Sequence, residues 1–254
     1  MPESPRVILE AQGLGQRFGE GAWIFRSIDL KLKGGEITVL AGRNGVGKTI
    51  LAKQLAGLLS PSEGCVLVGG KQLTSISGSV ASYVGYVFQD ARLQSVGDRV
   101  FDDVLFGPTC IGFPRDEALR RAKLAIEACG LDEKADSFVH DLSGGELRRL
   151  AIAGVFAMSP KALILDEPFA NLDPAGVRDV LKLARDLAEG GIALLVISHE
   201  IEKVLGLATS FVVMDAGRIV LSGDPASVLR EGIEAYGLRD PFKPRTGISD
   251  LSWL

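Results

Sequence analysis

Cysteine is scarce in this chain: three among 254 residues, an odd number whose spacing fits neither a disulfide framework nor a zinc motif. Cys65, Cys110 and Cys129 therefore read as small apolar fillers in a reducing compartment. Long hydrophobic runs are also missing. A strong one, IALLVIS at Ile192 to Ser198, falls far short of the ~20 residues a helix needs to cross a bilayer; work at a membrane would require another protein to hold the chain there. The N-terminus, MPESPRVILEAQG, lacks the basic region and apolar segment of a signal peptide, so the cytosol is the expected compartment. Surplus positive charge is absent as well. With 28 Lys plus Arg against 32 Asp plus Glu, the net charge is -4, which gives no general attraction to phosphodiester backbones; no nucleic acid partner is expected. Internal repeats, low-complexity stretches and an obvious linker are missing too.

What remains is an ordinary globular composition, 46% hydrophobic and 24% charged, at a length suited to one α/β domain with an inserted subdomain. Three unbroken apolar runs bounded by turn residues, ITVLAG at Ile37 to Gly42, ALILDE at Ala162 to Glu167 and IALLVIS, predict parallel strands covered on both faces. Each is followed by a loop and a helical pattern, as in GKTILAKQLAGLL at Gly47 to Leu59 and PAGVRDVLKLARDLAEGG at Pro174 to Gly191, which is βαβ grammar with right-handed crossovers. The N-terminal VILEAQGLGQRF and IDLKLKGGEITVL alternate more strongly and predict an antiparallel flank. Between Ala91 and Pro160 the texture turns helical, with RDEALRRAKLAIEACG opened by Pro114 and stopped near Gly130. The expected division is a nucleotide-binding core over 1–90 and 161–230, a helical subdomain over 91–160, and a weakly specified tail over 231–254.

The chemistry begins at Gly42 to Thr49, GRNGVGKT, the G-x-x-x-x-G-K-[ST] pattern placed after a strand and opening a helix. Its glycines let backbone N–H groups turn inward around phosphate oxygens. The helix terminus adds its positive end, Lys48 reaches the terminal phosphates, and the Thr49 hydroxyl can ligate Mg²⁺. Asp166 and Glu167 end a buried strand, where one carboxylate can hold Mg²⁺ and the next can take a proton from water; alone, such a pair is as readily a helix cap. His199 ends another strand on the ligand-binding edge, though a lone His is more often structural. Gln89 closes VGYVFQ, where its amide could meet the Mg²⁺ shell or the attacking water. A second anion site is suggested by LSGGE at Leu142 to Glu146, two glycines at a helix start with Ser143 as cap.

GRNGVGKT, Gln89, LSGGE, LILDE, the NLD of Asn171 to Asp173, and His199, in this order, resemble the ATP-binding cassette (ABC) ATPases over nearly the whole chain. The resemblance implies a P-loop NTPase (RecA-like) α/β core with an antiparallel β flank and an inserted α-helical signature subdomain. It implies ATP and Mg²⁺ as cofactors, with Gly42, Arg43, Asn44, Gly45, Gly47, Lys48, Thr49 and Asp166 at the nucleotide and Thr49, Gln89 and Asp166 at the metal. Glu167 would be the general base, with His199 at the γ-phosphate. Two subunits would pack head to tail, so that Leu142, Ser143, Gly144, Gly145 and Glu146 close on the partner's ATP and Asp173 lies at the seam. Phe18 would stack on adenine where the family usually has Tyr; Trp23 is the rival aromatic. Ile50 stands where a second hydroxyl is common, and Glu146 where Gln is commoner.

Beyond the core motifs, Gln94, FDDVLFGP at Phe101 to Pro108, and RRLAIAGVFAM look like the ATPases of energy-coupling factor importers, which serve cobalt, nickel or vitamin uptake. That implies a peripheral subunit on the cytoplasmic face, paired with an identical or paralogous ATPase, a transmembrane scaffold and a substrate-binding membrane protein. Asp102 and Asp103 could receive a helix of the scaffold; the plainer reading is a solvated helix start. A soluble cassette acting on DNA or ribosomes is the other class. It would carry a coiled-coil arm or a second cassette, and this chain has neither.

Overall fold

The computed structural model describes residues 6–75 and 79–242. The chain opens with β1 (Val7–Gln16), β2 (Phe25–Lys33) and β3 (Ile37–Ala41), enters α1 (Lys48–Leu55), and returns as β4 (Glu63–Val68), β5 (Lys71–Gln72) and β6 (Val84–Val87). Three helices follow: α2 (Val100–Cys110), α3 (Arg115–Ala128) and α4 (Gly144–Phe156). Then come β7 (Ala162–Asp166), α5 (Pro174–Glu189), β8 (Ala193–Ile197), the one-turn α6 (Ile201–Val204), β9 (Ser210–Asp215), β10 (Arg218–Gly223) and α7 (Pro225–Arg230).

The alternating N-terminal segments form an antiparallel sheet of order β2-β1-β4-β5. The apolar runs form the second sheet, β10-β9-β3-β8-β7-β6, parallel except where β10 turns back on β9. Successive side chains of a strand face opposite sides, and both sides are covered. Ala162 and Ile164 of β7 pack with Leu9, Phe25, Leu51 and Met214 between the two sheets. Leu163 and Leu165 of the same strand pack against the helical layer with Leu150, Val155 and Val180. That double coverage is why these strands carry no polar alternation. The fold is the α/β P-loop class, with α2 to α4 inserted between β6 and its neighbour β7.

Helix α1 stops at Leu55 rather than continuing to Leu59, because Gly57 adopts φ +71, a left-handed conformation that ends the helical ladder. Helix α3 is stopped in the same way by Gly130 at φ +61. The C-terminal segment is better specified than its composition suggests. Ile233 and Leu238 are buried in the helix-side core, and Gly237 packs against the aliphatic stem of Arg43. Residues 243–254 of the expected tail lie outside the described residues.

Candidate functional site

The phosphate-binding loop joins β3 to α1. Gly47 at its end holds φ +101, and a Cβ there would come 2.8 Å from Phe25; Gly42 has no room either, since a Cβ would meet the Met214 carbonyl. Lys48 is buried, and its Nζ donates to the Gly42 and Arg43 carbonyls at 2.7 and 3.0 Å. Burial lowers its pKa, against the upward pull of Glu167 and Asp166. The ammonium is thus held inside the loop by bonds it can exchange for phosphate oxygens.

A cavity of 370 Å³ is lined by Asn44, Gly45, Gly47, Lys48, Thr49, Ile50, Gln89, Glu167, Ile197 and His199. Residues scattered over 156 positions of sequence, from 44 to 199, meet here because β3, β7 and β8 are neighbours whose C-terminal ends share one edge. Glu167 takes φ +48 just past β7, a conformation that L side chains resist and that signals a functional constraint. Its carboxylate is nearly buried, and Oε2 lies 2.9 Å from His199 Nδ1 and accepts from the His199 backbone N–H at 3.3 Å. Asn44 and Thr49 are exposed to the opening, as is Gln89.

A larger adjoining cavity of 720 Å³ is lined by Thr49, Gln89 and Asp166 on one side and by Leu142, Gly144, Leu147 and Leu172 on the other. Asp166 is 2% exposed. Its Oδ2 accepts from the Tyr86 hydroxyl at 2.6 Å, while the buried Oδ1 has no protein partner. Burial, then the bond to Asp166, raises the Tyr86 pKa. A buried, half-satisfied carboxylate beside a free hydroxyl and an amide is the oxygen donor set that a small hard cation takes; these residues fit Mg²⁺.

The signature turn is built as a reciprocal cap. Ser143 Oγ accepts from the Glu146 N–H at 3.3 Å, and Glu146 Oε2 accepts from the Ser143 N–H at 2.8 Å, a capping box that satisfies two helix-end donors. Glu146, with Lys134 at 3.5 Å, has its pKa lowered chiefly by the Ser143 backbone bond. Asp173 caps α5 through the Gly176 N–H at 2.7 Å. Phe18 is 58% exposed at the tip between β1 and β2. Trp23 is engaged on its ring by two guanidiniums, Arg17 at 5.0 Å and Arg26 at 4.6 Å.

The pairing of Asp102 with Asp103 as a surface socket is corrected. Only Asp102 is exposed; Asp103 is 8% exposed and accepts from Ser95 Oγ at 2.8 Å, Val96 N–H at 2.6 Å and Gly97 N–H at 2.8 Å. Its Oδ1 takes all three bonds and ties down the loop before α2, so the residue is a buried loop anchor rather than half of an exposed acidic pair. Three residues inside the quoted segments have contacts that the sequence does not assign them: Tyr86 beneath Asp166, Asp103, and Arg148, buried in α4 and bonded to the carbonyls on either side of the Gln89 Cα. A charged residue on the apolar stripe of a helix was the available signal for the last two.

The sequence profile of the ABC transporter family matches residues 25–170. The chain is 37% identical over 239 residues to the energy-coupling factor transporter ATP-binding protein EcfA of Methanocaldococcus jannaschii, covering 92% of this chain and 86% of that one. It is 36% identical over 240 residues to EcfA3 of Clostridium perfringens, covering 92% and 84%. Among solved structures, cbiO1 from Clostridium perfringens, part of the ABC transporter complex cbiONQ, superposes with TM-score 0.80 at 36% identity over 92% of this chain and 96% of that one.

Proposed function

Because this chain belongs to the ABC transporter family, as an ATPase coupled to transport, we propose that it is the motor of an energy-coupling factor importer, working as a head-to-tail dimer on a transmembrane scaffold. The observation that carries the reading is one cavity shared by Lys48, Thr49, Gln89, Glu167 and His199, joined to relatives that bear the energy-coupling factor name. No helix among the described residues is long and apolar enough to cross a membrane; in this reading partner proteins hold the subunit at the cytoplasmic face.

In this reading the loop amides and the N-terminus of α1 bind the ATP phosphates, and Lys48 neutralises their charge. Phe18 stacks on the adenine. Glu167 accepts the proton of the attacking water; its bond to His199 holds the carboxylate in line and makes the two one acid–base unit. Thr49, Asp166 and Gln89 would hold Mg²⁺, which supplies neutralisation of developing phosphate charge. The amides of Gly144 and Gly145 would bind the γ-phosphate of ATP carried by the opposite subunit, making nucleotide the adhesive of the dimer. The cap of Asp173 on α5 keeps the seam loop rigid.

Trans complementation tests this architecture. Lys48→Ala and Ser143→Arg chains should each be inactive, while a mixture contains heterodimers in which one composite site is doubly altered and the other intact. ATPase activity in the mixture above either variant is the expected result. A mixture as dead as its components, with heterodimers shown to form, refutes the shared site. Glu167→Gln should bind ATP yet accumulate as a nucleotide-bound dimer, read by size-exclusion chromatography.

A further inference from the structure

Arg148 is 4% exposed, on the stripe of α4 that also carries Ala151, Ile152 and Val155. A guanidinium taken out of water needs strong compensation, and none of its hydrogen bonds goes to a carboxylate. Nη1 donates to the Phe88 carbonyl at 2.7 Å and Nη2 to the Gln89 carbonyl at 2.6 Å, while Nε is buried without a partner. Asp90 and Asp166 lie near enough to favour the charge. The two carbonyls belong to the peptide planes on either side of the Gln89 Cα, so the rigid fork of the guanidinium fixes the backbone from which the Gln89 side chain projects. Gln94 adds a third tie, accepting from the Phe88 N–H at 3.0 Å and donating to the Ala151 carbonyl of the same helix at 3.2 Å.

The geometry points to Arg148 as the positioning residue of Gln89: carried on the helix capped by Ser143, it clamps both peptide planes of Gln89 and turns that amide whenever the signature helix moves. The inference rests on the reading of Gln89 as a group at the metal or the attacking water. Its consequence is a direct link between the two anion sites of one chain. A phosphate drawn to the N-terminus of α4 displaces the helix, and Arg148 passes the displacement to Gln89 with no intervening loop.

The test is a double-mutant cycle in the full-length protein. Arg148→Lys keeps the charge but offers a point donor in place of a fork, and kcat should fall about tenfold with KM for ATP changing less than about twofold, the size expected when one of two charge-assisted bonds is given up. In a Gln89→Ala background the same substitution should cost nothing further, because the group it positions is gone. A kcat that Arg148→Lys leaves unchanged overturns the proposal, as does an equal loss in both backgrounds, the mark of a merely structural arginine. Gln89→Ala with full activity defeats the reading of Gln89 first and the positioning role with it. Gln94→Ala, at a half-buried site, decides the matter if Arg148→Lys does not fold: a loss confined to chains that retain Gln89 supports the clamp, and an additive loss or none refutes it.

Discussion

Tyr86→Phe removes one oxygen and leaves the ring in place. That hydroxyl donates to Asp166 Oδ2 at 2.6 Å, and the other Asp166 oxygen has no protein partner, so the substitution leaves a carboxylate that is 2% exposed without a side-chain donor. A hydrogen bond to a charged group contributes about 1.5–3 kcal/mol, and no methylene-sized cavity opens to add to it. For a chain of this size each kcal/mol moves the midpoint by about 2–4 °C, so the variant should melt about 3–12 °C below the parent in scanning calorimetry without nucleotide. The deficit should shrink when Mg²⁺ and ATP are added in a Glu167→Gln background that does not turn over, since a cation at Asp166 supplies the missing counter-charge. ATP with a chelator should not close the gap. Equal melting temperatures for Tyr86→Phe and the parent without nucleotide would show that Asp166 is satisfied in some other way, and the argument that its free oxygen awaits a cation would fall with that.

Lys48→Ala should weaken ATP binding about 100-fold, the scale of a lost charge-assisted contact to phosphate; unchanged affinity in a fluorescence titration counts against the phosphate cradle. Phe18→Ala should raise the Kd for ATP about 3–10-fold by removing a stacking face, whereas Trp23→Phe should leave it alone; the reverse ranking would exchange their roles. Asp103→Ala strands the Val96 and Gly97 amides and should cost on the order of 3 kcal/mol in urea unfolding, while the exposed Asp102→Lys should cost less than about 0.5 kcal/mol. Equal stability of the two variants would show that the buried carboxylate does not hold its loop.

The sheet was legible because its strands announce themselves: an apolar run such as Leu163 to Leu165 can satisfy its neighbours on both faces only inside a parallel sheet. The phosphate loop was legible because Gly47 tolerates a conformation and a contact that no other residue does. Asp103 is not legible when paired with its neighbour in sequence. In helix register it falls with Val100, Val104 and Pro108 on the buried side of α2, and Asp102 does not. Arg148 follows the same rule in α4. The contact of His199 with Glu167 joins positions 32 residues apart through the pairing of β7 with β8, and no local pattern carries that distance.

The strand order has a consequence for how the protein is made. β3, which ends in the phosphate-binding loop, lies between β8 and β9, so both of its hydrogen-bonding neighbours are synthesised after residue 192. At roughly 5–20 residues per second, about 8–30 s pass between the emergence of β3 and that of β8. During that interval Val39, Leu40 and Ala41, all buried in the finished fold, are hydrophobic strand with unpaired edges, the kind of segment that aggregates or engages a chaperone. The antiparallel flank closes much sooner, since β1, β2 and β4 lie within the first 68 residues. A nascent chain halted before β8 would therefore carry the whole GRNGVGKT motif and the flank it packs on, yet have no formed phosphate cradle; competence for ATP arrives only once β8 and β9 have been made.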